Sequence, residues 1–132
     1  MKAKRALAET SERLATAGCD SPRVDAEILV SHVLGLSRSE LPLEASRKLS
    51  TAEAKTLERL VARREGREPM AYVLAEWGFR RLTLAVDRRV LVPRPETETV
   101  VERCLARISG LAEPHVLDVG TGSGAIALAI AD

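Results

Sequence analysis

The sequence contains no asparagine and no glutamine, which removes every side-chain amide from any site the chain could build. Aromatic residues make up 2% of it, and all three, Tyr72, Trp77 and Phe79, fall within one short stretch. A core must therefore be aliphatic, made of Leu, Val and Ala. The two cysteines, Cys19 and Cys104, are far apart. They form neither a disulfide framework nor a zinc site, and are expected to be inert thiols of helical segments in a reducing cytoplasm. No apolar stretch of signal-peptide length follows the charged start MKAKRALAETSERLA, and no long apolar run occurs elsewhere. Neither secretion nor a membrane span is expected. Charge of one sign is also lacking: 20 Lys and Arg stand against 19 Asp and Glu, a net charge of +1. That balance argues against a surface that grips nucleic acid by its phosphates.

What is present is the composition of a folded chain: 132 residues, 45% hydrophobic and 30% charged. The first 75 or so residues predict four or five short helices of a small bundle. Ala3, Leu7, Leu14 and Ala17 are spaced as one helical face, with Gly18 as the stop. Ser21-Pro22 has the pattern of an N-cap followed by proline at the first helical position. Ala26, Leu29, Val30, Val33 and Leu34 then mark a face that Gly35 ends. Ser37 with Glu40, and Ser50 with Glu53, have the spacing of capping boxes. The second box opens a helix with the stripe Leu57, Leu60 and Val61, stopped at Gly66. Pro69 starts one more helical segment, from Met70 to Ala75.

The period changes after that. Leu82, Leu84 and Val86 alternate with Thr83 and Ala85, as in a strand. Residues 76–92 are expected to form a hairpin or extended connector, with Val90 to Val92 extended. From Phe79 to Arg94 the chain carries Arg80, Arg81, Arg88, Arg89 and Arg94 against Asp87 alone. A solvated connector is the simpler reading; a contact surface for an acidic or RNA-associated partner is the sharper one. Pro93-Arg94-Pro95 forces extended backbone before a helix, in which Glu96 and Glu98 complement the dipole. Thr97, Val100, Val101, Cys104, Leu105 and Ile108 form its predicted buried stripe.

His115 to Val119 then reads as a short apolar strand, running into Gly120-Thr121-Gly122-Ser123-Gly124 and a helix from Ala125 to Ala131. Strand, glycine loop and helix open a nucleotide-binding type of α/β fold. Gly120 and Gly122 allow a tight turn and close approach of a ligand, and the loop ends at the free amides of a helix start. Two ligands compete for it. Gly120, Gly122 and Ala125 satisfy the loose fingerprint of an NAD-type dinucleotide site. The string D-x-G-x-G-x-G, beginning at Asp118, is that expected for S-adenosylmethionine. A carboxylate suits a sulfonium and an amino group; it does not suit a pyrophosphate. An ordinary glycine turn in a buried βα unit is the third reading. His32, in a helix, and His115, at the start of a strand, are read as structural.

The stretches EGREPMAYVLAEWGF, LTLAVDRRVLVPRPETETVVE and VLDVGTGSGAIALAIA, with the earlier SPRVDAEILVSHVLG, resemble the HemK/PrmC family over essentially the whole chain. These are methyltransferases that modify the glutamine of the GGQ motif in peptide-chain release factors, in the cytoplasm. The resemblance implies a fold of α+β content in three parts. Residues 1–75 would be a helical bundle that recognises the release factor, and 76–92 a hairpin connector. Residues 93–132 would begin a Rossmann-like α/β methyltransferase domain. It further implies that Gly120, Thr121, Gly122, Ser123 and Gly124, with Asp118, hold the methionine part of S-adenosylmethionine. Phe79, Arg94, Pro95, Thr97 and Glu98 would lie near the opening to the substrate.

In the family the amide nitrogen of the substrate glutamine attacks the methyl group while an Asn-Pro-Pro-Tyr motif orients it. No metal or general base is implied, and no direct contact with nucleic acid. That motif is absent here, as is the acid that binds the donor ribose. The chain is therefore expected to be the N-terminal portion of an enzyme, inactive alone, whose last 20 or so residues lack neighbours to bury them. Locally, Ala75-Glu76-Trp77-Gly78 departs from the family pattern around the hairpin. The competing readings are a fragment of an NAD-type oxidoreductase and a non-catalytic helical module that binds release factors.

Overall fold

The computed structural model describes all 132 residues and contains six helices and one two-stranded antiparallel sheet, an α+β content. None of the helices is long and apolar enough to cross a membrane. The chain divides into two compact units, Met1–Leu74 and Ala75–Asp132.

The first unit has four helices: α1 (Ala3–Thr16), α2 (Pro22–Leu34), α3 (Thr51–Glu65) and α4 (Met70–Leu74). On α1 the buried positions are Ala3, Ala6, Thr10 and Leu14, a stripe at helical spacing. Helices α1 and α2 are the most extensive pair of the unit; the small buried Ala3 and Ala6 on α1, and Ala26 beside Leu29 and Val30 on α2, suit a close approach. Full burial of Leu14 and Leu29 contributes roughly 2 kcal/mol each from apolar area alone. Leu57, Leu60 and Val61 add the third side of the core, as the stripe predicts.

Gly18 and Gly35 both take left-handed backbone, with φ of 74° and 65°. The amide of the residue after each glycine returns to a carbonyl five residues back, Cys19 to Leu14 and Leu36 to Ser31, both at 3.0 Å. At α3 the left-handed residue is Arg67 (φ 63°), not Gly66, whose φ is −71°. The helix stops where Gly66 predicts, but the reversal of hand falls one residue later. The Arg67 guanidinium donates to the Gly18 carbonyl across the unit, and that bond helps to hold the unfavourable conformation.

Three other expectations are corrected here. Ser21 precedes Pro22 but makes no side-chain cap; its carbonyl accepts the Asp25 amide instead. Ser37 and Glu40 form only half a box. Glu40 Oε2 accepts from the Ser37 amide at 2.8 Å and from its hydroxyl at 2.7 Å, so the hydroxyl is spent as a donor and no helix starts. Cys19 is buried as expected, but in the turn after α1 rather than in a helix.

Arginine forks join these helices. Arg13 of α1 holds both Glu58 and Glu65 of α3 through four hydrogen bonds of 2.6–3.0 Å. Arg64 binds Asp25 of α2 at 2.8 Å and the Glu68 carbonyl at 3.0 Å. Arg63 donates to both oxygens of Glu68 and to the carbonyls of Tyr72 and Val73, which closes the end of the five-residue α4. Arg47 caps α2 at the Leu34 carbonyl and reaches Glu53.

The second unit begins with the hairpin β1 (Glu76–Phe79) and β2 (Leu82–Ala85), in the register Phe79 opposite Leu82 and Glu76 opposite Ala85. Helices α5 (Pro95–Ile108) and α6 (Ala125–Ala131) follow and pack on each other. Phe79, Leu84, Val86, Val101, Ala125 and Ala129 are its buried apolar residues. On α5 only Val101 is buried; Val100, expected on the same stripe, is exposed. Val90 forms a bend, and Leu91 and Val92 are unpaired.

The expected strand at His115 to Val119 does not form. These residues join no ladder, and Leu117 and Val119 are 87% and 84% exposed. A parallel strand exists only through its neighbours, and the one sheet here is the β1–β2 hairpin.

Two measurements check the helix-start chemistry. Ser50 accepts the Glu53 amide at 3.1 Å while Glu53 accepts the Ser50 amide at 2.7 Å. Ser50→Ala should therefore cost about 1 kcal/mol in urea unfolding followed by helical circular dichroism. Ser37→Ala should be near neutral. The Ser50 amide holds the Glu53 carboxyl below its ordinary pKa, and Arg13 does the same to Glu58. Groups depressed on folding stabilise in full above the unfolded carboxylate pKa of about 4.3 and lose that contribution as pH falls through the folded value. The thermal midpoint should accordingly hold down to that point and drop below it.

Candidate functional site

The loop after the unpaired segment is built by backbone hand. Gly120, Gly122 and Gly124 have φ of 73°, 58° and 79°, all in the region side chains disfavour. A Cβ added at Gly120 or Gly122 would meet nothing within 4 Å, so the glycines are required by conformation and leave that face of the turn open. Gly124 is the N-cap of α6, and its carbonyl accepts the Leu128 amide at 2.8 Å.

Asp118 ties this turn to the helix. Its Oδ2 accepts from the Thr121 hydroxyl at 3.0 Å and from the Ala127 amide at 3.3 Å. The carboxylate is half-buried, whereas Gly120, Thr121 and Gly122 are exposed. The six predicted loop residues thus form one turn, and Asp118 places a negative charge at the start of α6. Sequence alone pairs Asp118 with the loop by spacing. It misses the Ala127 amide, whose place beside the carboxylate depends on how the turn folds back.

The second predicted group lies on the hairpin and on the start of α5. Arg94 is the N-cap of α5 by position, without a side-chain bond, and Pro95 is the first helical residue. Both are exposed; Thr97 and Glu98 are half-buried. Phe79 is 1% exposed and is a core residue of this unit. Glu98 Oε1 accepts the Arg80 amide at 2.8 Å, and Arg80 reaches Glu102 at 3.5 Å. This holds Arg80 in left-handed backbone (φ 52°) at the hairpin turn. No hydrogen bond or ion pair joins this group to the glycine loop.

The basic run is largely answered within the unit. Arg81 pairs with Asp132 at 2.8 Å. Arg89 binds Asp87 through its guanidinium and amide, which pulls the Asp87 carboxyl down to about 2. These pairings favour a connector over a cationic contact surface.

Asp118→Ala should free the Ala127 amide and loosen α6. Its hydrogen exchange should quicken several-fold by NMR, with amides of α1 to α3 unchanged. An unchanged rate at Ala127 would show that the carboxylate does not hold the helix.

Residues 5–74 match the family described as the PrmC N-terminal domain. The chain is 46% identical over 126 residues to a protein of Rhodospirillum rubrum named release factor glutamine methyltransferase, covering 96% of this chain and 38% of that one. Proteins of the same name from Vibrio cholerae and Deinococcus radiodurans are 45% and 41% identical. Those matches cover 96% and 98% of this chain, and 44% and 47% of the relatives. The chain thus spans less than half the length of the curated relatives it matches. With more than half its residues inside the family match and these relatives across nearly all of it, the chain belongs to the PrmC family, its N-terminal domain lying in residues 5–74.

Proposed function

We propose that this chain is the part of a protein-glutamine methyltransferase that begins the S-adenosylmethionine site and engages a release factor as protein substrate. The observation that carries the first half is the turn at 118–124. Three left-handed glycines expose an open backbone face beside the Asp118 carboxylate. The names of the relatives supply the substrate.

The residues fit such a donor. Asp118 Oδ1 accepts no hydrogen bond within the chain and can take one from an ammonium group. The bare faces of Gly120 and Gly122 admit a ligand without a Cβ in its way. Bound there, S-adenosylmethionine would supply a methyl group made electrophilic by its sulfonium. The chain's own contribution would be to bind and orient. Gly120 to Gly124 would line the amino-acid tail, and Asp118 would answer its positive charge. Glu98, by fixing the hairpin turn at Arg80, would hold Arg94, Pro95 and Thr97 in place at the substrate opening. Phe79 would act beneath them as packing. The residues that orient the glutamine amide lie outside this sequence in the family pattern. By the same reading, the loop and α6 would belong to a Rossmann-like domain in which 115–119 becomes a strand.

An NAD-type site fits less well. A pyrophosphate would need the amides at the start of α6, where Asp118 already occupies one and repels an anion.

A hybrid tests the proposal: this chain followed by the remaining residues of the Rhodospirillum rubrum relative. It should bind S-adenosylhomocysteine in isothermal titration and place one methyl group on a release-factor glutamine, detected by mass spectrometry. Gly122→Val and Asp118→Asn should each weaken binding about tenfold or more, equal to about 1.4 kcal/mol. Binding of NAD without S-adenosylhomocysteine would overturn the reading.

A further inference from the structure

Helix α6 consists of seven apolar residues and has no polar side chain of its own. Acids at its two ends tie it instead. Asp118 takes the Ala127 amide near the start. Asp132 is the C-cap, and its Oδ2 accepts from the Arg81 guanidinium at 2.8 Å. An acid at a helix C-terminus opposes the dipole, and no basic residue stands in the last turn of α6 to answer it. The answering cation comes from the hairpin turn.

That turn is unfavourable on its own account. Arg80 and Arg81 form the loop between Phe79 and Leu82, and Arg80 is left-handed with φ of 52°. Local turn chemistry favours glycine at the first position of such a loop. Arginine is held there because Glu98 Oε1 accepts its amide at 2.8 Å. A strained arginine and an acid at the wrong end of a helix thus meet at one turn. Strain of this kind points to a role beyond local stability.

The bonds run on in both directions. From Arg80 they reach Glu98 in the first turn of α5, beside Arg94, Pro95 and Thr97. From Arg81 they reach Asp132, then α6, a rod of about 10 Å, and through Asp118 the glycine loop. The two groups of site residues, which no bond joins directly, are joined by way of the hairpin turn.

We propose that the Arg80–Arg81 turn is a brace that fixes the start of α5 against the loop at 118–124, with Arg81 and Asp132 as positioning residues for methyl transfer. The catalytic role rests on the reading of a donor loop and a substrate opening given above; the brace itself does not. Neither residue touches a reactant. A small misplacement of two bound reactants slows their reaction without weakening the binding of either.

Two measurements test the brace. In the 132-residue chain, Arg81→Glu should quicken hydrogen exchange at the Arg80 and Ala127 amides about threefold or more by NMR. Adding Asp132→Arg, which restores the pair with its charges exchanged, should return both to their original rates. In the hybrid enzyme, Arg81→Glu should lower kcat for release-factor methylation about threefold, with KM unchanged. The affinity and stoichiometry for S-adenosylhomocysteine should also hold, which separates misalignment from loss of folded enzyme. The exchanged pair should recover kcat. Arg89→Glu, which breaks an equally short pair with Asp87 two residues away, should change kcat less than twofold. Exchange rates or a kcat that Arg81→Glu leaves unchanged, or that the exchanged pair does not recover, overturn the proposal. An unaltered hybrid that transfers no methyl group overturns the reading of the site, and the catalytic role with it. Exchange in the 132-residue chain then still decides whether the turn ties the two helices.

Discussion

The helical unit depends on planar guanidinium groups that reach two partners at once. Arg13, Arg47, Arg63 and Arg64 each bind more than one acceptor, and each joins segments that are separate in sequence. With neither asparagine nor glutamine in the chain, the work that side-chain amides do elsewhere falls to them. They close helix ends as well as pair with acids. Lysine has three donors on a single atom and could not make the four bonds of Arg63, two of them to both oxygens of one carboxylate. The preference for arginine, 16 of the 20 cations, therefore has a structural use whatever its origin in coding.

The same forks mark the boundary of what the sequence conveys. Local rules were sufficient where the deciding atoms lie within one turn. Gly18 and Gly35 reverse hand where helical spacing stops, Ser50 and Glu53 complete their box, and Leu57, Leu60 and Val61 are buried together. The rules failed where a distant group decides. Arg67, not Gly66, takes the left-handed position, and its side chain donates to the carbonyl of Gly18, which is remote in sequence. Ser37 is an exception within a single turn: it has the spacing of a cap, but its hydroxyl donates to the Glu40 carboxylate. Val100 lies on the apolar stripe by spacing, yet nothing covers it and it stays exposed.

The glycine loop was readable for the same reason the caps were, since positive φ is a property of single residues. Its joining to α6 through the Ala127 amide was not, nor was the use of Glu98 to secure the hairpin turn. The run of arginines after Phe79 suggests a cationic surface until its acids are placed. Asp87, Glu98, Glu102 and Asp132 then account for three of them. Charge counted along a chain overstates charge presented to solvent, because partners from other segments arrive only on folding.

The unpaired backbone from His115 to Val119 has a consequence for handling the protein. Aliphatic residues with open amides and carbonyls form a template on which a like segment can align, which is the route by which sticky β edges start aggregates. Asp118 is the one acidic gatekeeper among these five residues, and Pro114 guards only their start. If the isolated polypeptide aggregates, Val116 to Val119 is where strand pairing is expected to start, however firmly the helices of the first unit are clamped.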